Sequence, residues 1–197
     1  MSTQVVQQLG HCVIGLVSSL DDPEKLGRIQ VQFPHLDNAK SDWARIVSPM
    51  AGNGRGLFLK PEVGDEVLVA FEHGDRRRPY ILGALWNKED KPPPTDGDVL
   101  KNNWRFLQSR SGHIFKFDDT RGKEKIEILA KGAKHTITID PVKGKIRLEC
   151  ETGDVEVMAK SGNVQVEAKT LTIKASGAIT IQAGADLVLK GATVKIN

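Results

Sequence analysis

The side chains with catalytic or metal-binding potential are few and scattered along the chain. Asp118 and Asp119 resemble the acid pair of a glycoside hydrolase, but neighbours in a strand point to opposite faces. Ser111 and His113 are too close in sequence for the geometry of a catalytic triad. The histidines lack metal-ligand spacing: they are His11, His35, His73, His113 and His135. We therefore expect no catalytic site, no metal site and no cofactor.

A run of three arginines, Arg76 to Arg78, could contact phosphate groups. Binding of single-stranded nucleic acid usually combines such charges with stacking aromatic side chains, and none is interleaved here. The run lies between Gly74-Asp75 and Pro79, which is typical of a turn. A solvated loop is therefore the favoured interpretation of these arginines.

The composition divides the chain into two halves. All ten aromatic residues lie at or before Phe117, and eight of the nine prolines precede residue 95. Residues 1–100 hold 11 Lys and Arg against 14 Asp and Glu, whereas residues 101–197 hold 17 against 11. The polar, proline-rich stretch around residues 87–98 is typical of a linker. We predict a first domain over residues 1–88, a linker over 89–103 and a second domain over 104–197.

The first domain shows five short apolar or alternating runs between turn signals. They cover residues 12–17, 28–33, 43–47, 66–71 and 80–85. Five short strands in so little sequence, without an amphipathic helix, favour a small barrel. An OB-fold is the natural five-stranded candidate, and a small sandwich is the alternative.

The second domain shows pairs of aliphatic residues at i and i+2. Early pairs, such as Ile126/Ile128, Ile137/Ile139 and Ile146/Leu148, are more widely spaced than later ones, which recur about every eight residues. Short strands with one buried face and small-residue corners are typical of a β-helix. The fold class expected is thus all-β, a barrel followed by a β-helix. The inward side chains expected of the later pairs are Val155, Val157, Val164, Val166, Leu171, Ile173, Ile179, Ile181, Leu187 and Leu189.

One such strand buries only a thin aliphatic stripe. At about 25 cal/mol per Å² this yields a few kcal/mol per rung, against roughly 1–2 kcal/mol per residue of backbone entropy. Three chains wound together would cover the stripes and pair the exposed strand edges. We therefore expect an intertwined, triple-stranded β-helix in a homotrimer. Cys150 shares the parity of Ile146 and Leu148, so it is predicted to be a packed thiol.

A continuous stretch, Gly64 to Asn87, closely resembles the OB-domain signature of VgrG and phage baseplate assembly protein V spikes. Supporting pieces occur in the same order at residues 22–34, 43–45 and 61–65, and residues 110–126 resemble the start of the family's β-helix. The signature residues matched are Gly64, Asp65, Glu66, Gly74, Asp75, Arg77, Pro79, Gly83, Trp86 and Asn87.

The resemblance implies a structural spike, not an enzyme, at the tip of a contractile injection machine that punctures a target envelope. Such machines include phage-like tails, tailocins, extracellular injection particles and type VI secretion systems. Only about ten residues precede the barrel motif, so a separate hub or baseplate protein is expected at that end. A PAAR-like tip protein is expected at the other end, docked on Val194, Ile196 and Asn197. The N-terminus lacks a secretory signal, so synthesis in the cytoplasm and assembly into a particle are expected.

Two other functions stay open at this point. A nucleic-acid-binding OB protein would bind with an affinity that falls steeply with salt, but it would not account for the aliphatic repeat. A carbohydrate-active β-helix protein would place acids or aromatics on successive rungs, where this sequence has mostly Lys, Thr and Gln. The spike is the preferred prediction, with transient contact to a target membrane and no nucleic acid.

Overall fold

The N-terminal barrel is built from one six-stranded sheet. The computed structural model describes residues 12–95 and 101–196. The sheet has the order β3-β2-β1-β7-β8-β4, with β4 parallel to β8 and the other neighbours antiparallel. Its strands are β1 (Val13–Ser19), β2 (Gln30–Phe33), β3 (Ala39–Lys40), β4 (Arg45–Ile46), β7 (Glu66–Phe71) and β8 (Pro79–Ala84).

A bridge closes this sheet on itself. The backbone N–H groups of Ile29 and Ala44 each donate to the other's carbonyl, at 3.0 and 2.7 Å. This bridge joins the chain before β4 to the start of β2, at the opposite side of the sheet. A closed sheet has no free edge on that side, which is how small barrels avoid edge-to-edge pairing.

The barrel core follows from alternation in the strands. In β7 the side chains of Val67 and Val69 are fully buried, while their neighbours in the strand are partly exposed. The same alternation in β2 and β8 buries aliphatic side chains from all around the barrel. The core consists of Val17, Ile29, Val31, Phe33, Ala44, Val67, Val69 and Ile81.

A short hairpin interrupts the barrel between β4 and β7. It comprises β5 (Ala51–Gly52) and β6 (Arg55–Gly56). Gly56 has φ of 147°, and a Cβ there would lie 2.5 Å from the carbonyl oxygen of Met50. Glycine is therefore required where the hairpin returns to the barrel.

The second sheet is a five-stranded antiparallel meander over residues 104–150, in the order β13-β12-β11-β10-β9. Each strand pairs with the next along the chain through a short turn, so the sheet is complete within one chain. Its strands are β9 (Trp104–Gln108), β10 (Ile114–Asp118), β11 (Lys125–Leu129), β12 (His135–Asp140) and β13 (Lys145–Cys150).

Residues 151–196 differ from everything before them. They contain no strand, and every side chain in this stretch is exposed. The all-β class expected from the sequence is confirmed, since two short 3₁₀ turns are the only helical residues in the described ranges. The β-helix predicted over residues 104–197 is not seen in the single chain, where residues 104–150 form the meander instead.

Candidate functional site

One face of the meander is apolar and open to solvent. Cross-strand register places Leu107, Phe115, Ile128, Ile137 and Leu148 in one row across the five strands. A second row runs beside the first: it starts at Arg105 on β9 and continues with an apolar side chain on each of the other four strands. We define the apolar face as Leu107, Phe115, Phe117, Ile126, Ile128, Ile137, Ile139, Ile146 and Leu148.

These side chains are exposed to an unusual degree for a sheet. Ile137 and Ile139 on the inner strand β12 are each 41% exposed, and Ile146 on the edge strand is 76% exposed. The Phe115 and Phe117 rings pack edge to face, with centroids 5.1 Å apart. Contiguous apolar surface of this kind marks an interaction site in a soluble protein.

The opposite face of the meander buries charge. Lys116 Nζ lies 2.7 Å from Glu127 Oε2, and both side chains are about one-tenth exposed. The ring of Trp104 covers the Lys116 ammonium, 4.1 Å from the ring centroid. Burial alone would raise the pKa of Glu127, but hydrogen bonds from Lys116 and Lys125 hold that pKa below its ordinary value. In this sheet the charged side chains are buried and the aliphatic side chains are exposed, which is the reverse of the usual arrangement, with the apolar face buried and the polar face in solvent.

The apolar surface continues into residues 151–196. The ten inward residues predicted from the repeat are all exposed in the single chain, from 53% at Ile179 and Leu187 to 73% at Val157. Val194 and Ile196 near the end are 53% and 88% exposed. Asn197, the third residue of the predicted tip-docking set, lies outside the described residues. We define the aliphatic ribbon as the alternating apolar residues Val155 to Ile196, and none of the residues that the structure describes covers it.

Cys150 lies where the meander ends and the ribbon begins. Its side chain is half-buried, and Sγ donates to the carbonyl oxygen of Thr152 at 3.2 Å. Cys12 is exposed, and both thiols are free. Cys150 shares the apolar face with Leu148, so its predicted packing depends on what covers that face.

The barrel signature residues shape the β7–β8 hairpin and its approach. Gly64 has φ of 98°, which favours glycine, and Asp65 accepts a hydrogen bond from the Glu62 backbone at 2.8 Å. Glu66 opens β7 and accepts from the Asn87 side chain. Asn87 in turn accepts from the backbone of Glu89. These contacts hold the chain that leaves the barrel.

The remaining signature residues form the turn between the two strands. Gly74 has φ of 76°, and Asp75 accepts hydrogen bonds from the Arg77 side chain at 3.0 and 3.1 Å. The Arg77 guanidinium holds the pKa of Asp75 below its ordinary value. Pro79 is buried at the start of β8, and Gly83 lies beside the irregularity in the β7–β8 register. Trp86 is 70% exposed just beyond β8.

The structure does not bring the scattered polar residues together. Asp118 is buried and accepts from the Thr120 backbone, whereas Asp119 is exposed and pairs with Arg105. Burial would raise the pKa of Asp118, but the Thr120 hydrogen bonds lower it, so this carboxyl is not a proton donor at neutral pH. His113 Nδ1 accepts from the Lys131 backbone at 3.2 Å. Among residues 12–95 and 101–196, no group of three or more His, Cys, Asp or Glu could hold a metal ion.

Comparison with known proteins identifies the barrel. The family described as "Type VI secretion system/phage-baseplate injector OB domain" matches residues 13–86. The barrel is an injector OB domain. This match covers β1 through β8, and the predicted resemblance to VgrG and baseplate spikes is confirmed.

Spike proteins of Pseudomonas aeruginosa are similar to more of the chain. The type VI secretion system spike protein VgrG4b is 31% identical over 117 residues, which are 55% of this chain and 14% of that protein. VgrG5 of the same organism is 31% identical over 104 residues, 50% of this chain and 12% of that protein. The actin cross-linking toxin VgrG1 of Vibrio cholerae is 29% identical over 113 residues, 53% of this chain and 10% of that protein. The chain thus spans less than a fifth of the length of these relatives.

Beyond the injector OB domain, sequence reasoning missed a third of the apolar face. The aliphatic pairs of β11 to β13 were identified, but Leu107, Phe115 and Phe117 were not assigned to the same face. The alternation Phe115-Lys116-Phe117-Asp118 carries that signal. In the part of the chain that the structure describes, no helix is long and apolar enough to cross a membrane.

Proposed function

We propose that this chain is the structural subunit of a homotrimeric spike in a contractile injection machine. The injector OB domain forms the base of the spike, and residues 104–197 form its needle. Residues 89–103 connect the two. Sheath contraction would drive the needle through a target envelope, and the chain has no enzymatic role in this account.

The carrying observation is the uncovered aliphatic surface, which runs from the apolar face into the ribbon. It spans residues 107–196, and its members are largely exposed in one chain. Residues 151–196 also lack strand partners, yet their alternation is that of strands with one buried face. Backbone N–H and C=O groups that become buried need hydrogen-bond partners. Two further copies of this chain supply both the partner strands and the apolar cover.

The geometry expected of this trimer is an intertwined triple-stranded β-helix. Its core would contain the ten residues predicted from the repeat, together with the apolar face of each meander. A closed prism of paired strands has no free edges along its length and resists bending, which suits force transmission. The chain has nine aliphatic pairs, from Ile126/Ile128 to Val194/Ile196. If each pair forms one rung of about 4.8 Å, the needle is on the order of 40 Å long.

A separate tip protein is expected at the C-terminal end, with a PAAR-like structure. Val194, Ile196 and Asn197 are the proposed docking residues, and the apolar side chains of Val194 and Ile196 are exposed in the single chain. Removal of residues 192–197 is expected to abolish capture of a purified PAAR-like protein and to leave the trimer intact. Undiminished capture by the truncated trimer would reject this docking face.

Hub or baseplate proteins are the proposed partners at the barrel end. The relatives named as spikes are several times longer than this chain. Synthesis in the cytoplasm followed by incorporation into a particle is the proposed route. The excess of Lys and Arg over residues 101–197 favours transient contact with an anionic membrane surface.

The alternatives are supported by fewer observations. The Arg77 and Arg78 side chains pair with Asp75 and Glu72, which lowers their capacity to bind phosphate. Asp118 and Asp119 lie apart in different environments, which disfavours a glycosidase pair.

Electron microscopy of the purified full-length chain tests the proposed shape. Particles should show three barrels at the base of one straight rod about 40 Å long. A population of isolated barrels with no rod, at concentrations where the chain is soluble, would contradict the proposed function.

A further inference from the structure

The chain contains a preformed sheet followed immediately by an unpaired ribbon, and this order bears on how the trimer assembles. Strands β9 to β13 obtain their neighbours within one chain, through turns of a few residues. Residues 151–196 have no such turns and no strands. The boundary between the two behaviours falls at Cys150, where β13 ends.

We propose that the meander is the nucleus of trimer assembly and that the ribbon pairs afterwards, from Cys150 toward the C-terminus. This inference rests on the proposed function, because it assumes that the partner is a second and third copy of this chain. It adds an order of events: meander contact first, needle closure second.

Backbone entropy favours contact between the meanders as the first step. The meander is already ordered in the single chain, so docking its apolar face costs little further backbone entropy. The ribbon is extended and unpaired, so each of its residues must be ordered when it pairs. Contact between preformed surfaces is therefore the less costly first step.

The edge strand β13 offers unpaired backbone groups next to the start of the ribbon. Within the described ranges, β13 pairs with β12 on one side and with no strand on the other. All but one of its residues are exposed, and the chain passes directly from Cys150 into the ribbon. A free strand edge is a template for the next strand. Once three meanders meet, each β13 edge is positioned to pair with a ribbon from a neighbouring copy.

The apolar surfaces of the meander and the ribbon are neighbours along the chain. Ile146, Leu148 and Cys150 have the same parity as the rest of the apolar face, and the ribbon begins five residues later with Val155. The apolar surface of the meander is thus followed closely by that of the ribbon, with one bend at residues 151–153 between them. An unrelated partner would have to match both the preformed sheet and the long unpaired stretch.

Four single variants of the full-length chain test this order. Ile137→Lys places a charge on the apolar face, and Thr136→Lys is its control on the opposite face of the same strand, beside Glu149. Ile181→Lys places a charge in the distal ribbon, and Thr180→Lys is its neighbour on the outward side. Each chain is examined by analytical ultracentrifugation and by limited proteolysis with mapped cleavage sites.

The account predicts different failures for the two inward variants. Ile137→Lys should be monomeric, with cleavage throughout residues 151–196 and a protected barrel. Ile181→Lys should stay trimeric, with cleavage confined to the region after about residue 175, because the nucleus and the proximal ribbon still pair. Both threonine controls should be trimeric and protected along the ribbon.

The outcomes separate this inference from the proposed function. A trimeric Ile137→Lys chain, or a monomeric Ile181→Lys chain, would overturn the proposed order while leaving the spike intact. A monomeric wild-type chain would overturn the spike itself. Hydrogen exchange of the β11–β12 amides confirms that the meander of the Ile137→Lys chain is folded. If that protection is lost, Leu148→Lys on the exposed edge strand replaces Ile137→Lys. A monomeric Leu148→Lys chain would then support the proposed order, and a trimeric one would overturn it.

Discussion

The meander and the ribbon carry the same alternating aliphatic pattern and behave differently in the single chain. Ile137 and Ile139 lie in a strand with neighbours on both sides, whereas Ile179 and Ile181 lie in an extended stretch with none. The difference lies in the connections, because the Pro141–Gly144 turn reverses the chain and the ribbon has only single small-residue corners. Alternation therefore identifies a strand but does not identify its partner.

The comparison predicts that stability is concentrated before residue 150. Ile81 is 1% exposed in the barrel core, and Ile81→Ala should cost about 2–5 kcal/mol of unfolding free energy at any protein concentration. Ile173→Ala, at a position 65% exposed in one chain, should leave monomer unfolding unchanged and weaken only the associated form. Urea unfolding at low and high protein concentration measures both. If Ile173→Ala lowered the free energy of unfolding of the monomer as much as Ile81→Ala does, stability would not be concentrated before residue 150.

The buried ion pair sharpens the contrast within the meander itself. Glu127→Ala leaves the Lys116 ammonium nearly buried and without its carboxylate partner, so the free energy of unfolding should fall by about 3 kcal/mol. Glu149→Ala removes an exposed partner of Arg147, so the free energy of unfolding should fall by less than about 1 kcal/mol. Thermal unfolding of the two variants side by side gives the measurement. Similar losses would mean that the polar face is not buried as described.

Acid should act on the barrel through Asp22. Its carboxylate accepts from the backbone of Leu26 at 2.9 Å and from Arg28 Nη2 at 2.7 Å. The Arg28 guanidinium holds the pKa of Asp22 well below its ordinary value of 3.8. The stabilisation that the ionised Asp22 carboxylate gives the barrel is therefore present above pH 3.8, the ordinary pKa, and is lost progressively as the pH falls below it. The urea midpoint should drop between pH 5 and pH 3, and the drop should shrink in Asp22→Asn.

The smallest effect is expected at the β7–β8 turn. The Arg77 side chain is 82% exposed and pairs with Asp75 at the surface, so Arg77→Ala should produce no measurable shift in the urea midpoint. A clear loss of stability would show that this signature residue contributes to the barrel itself. Unchanged monomer stability combined with weaker binding to a hub protein would assign it to an interface.

The barrel could be predicted from sequence because its signals are local. The alternation in Glu66–Phe71 and the turn residues around Gly74 specify a hairpin, and all five predicted runs contain or overlap strands. The very short β3, β5 and β6 were not predicted, since two-residue strands carry no periodic signal.

The meander could not be separated from a β-helix by the same reasoning. Pairs such as Ile137/Ile139 and Ile146/Leu148 look the same in both folds, and only the longer intervals between them leave room for hairpin turns. Periodicity also could not show that Lys116 and Glu127 would be the buried members of their strands. The Lys116 ammonium is covered by the ring of Trp104, which is a tertiary contact that periodicity does not encode.

Sedimentation of the full-length chain, with and without denaturant, tests the central claim most directly. A native mass of about three times 21.6 kDa that falls to one chain in denaturant is the predicted result. A native mass of a single chain, with the aliphatic ribbon still uncovered, would contradict the account.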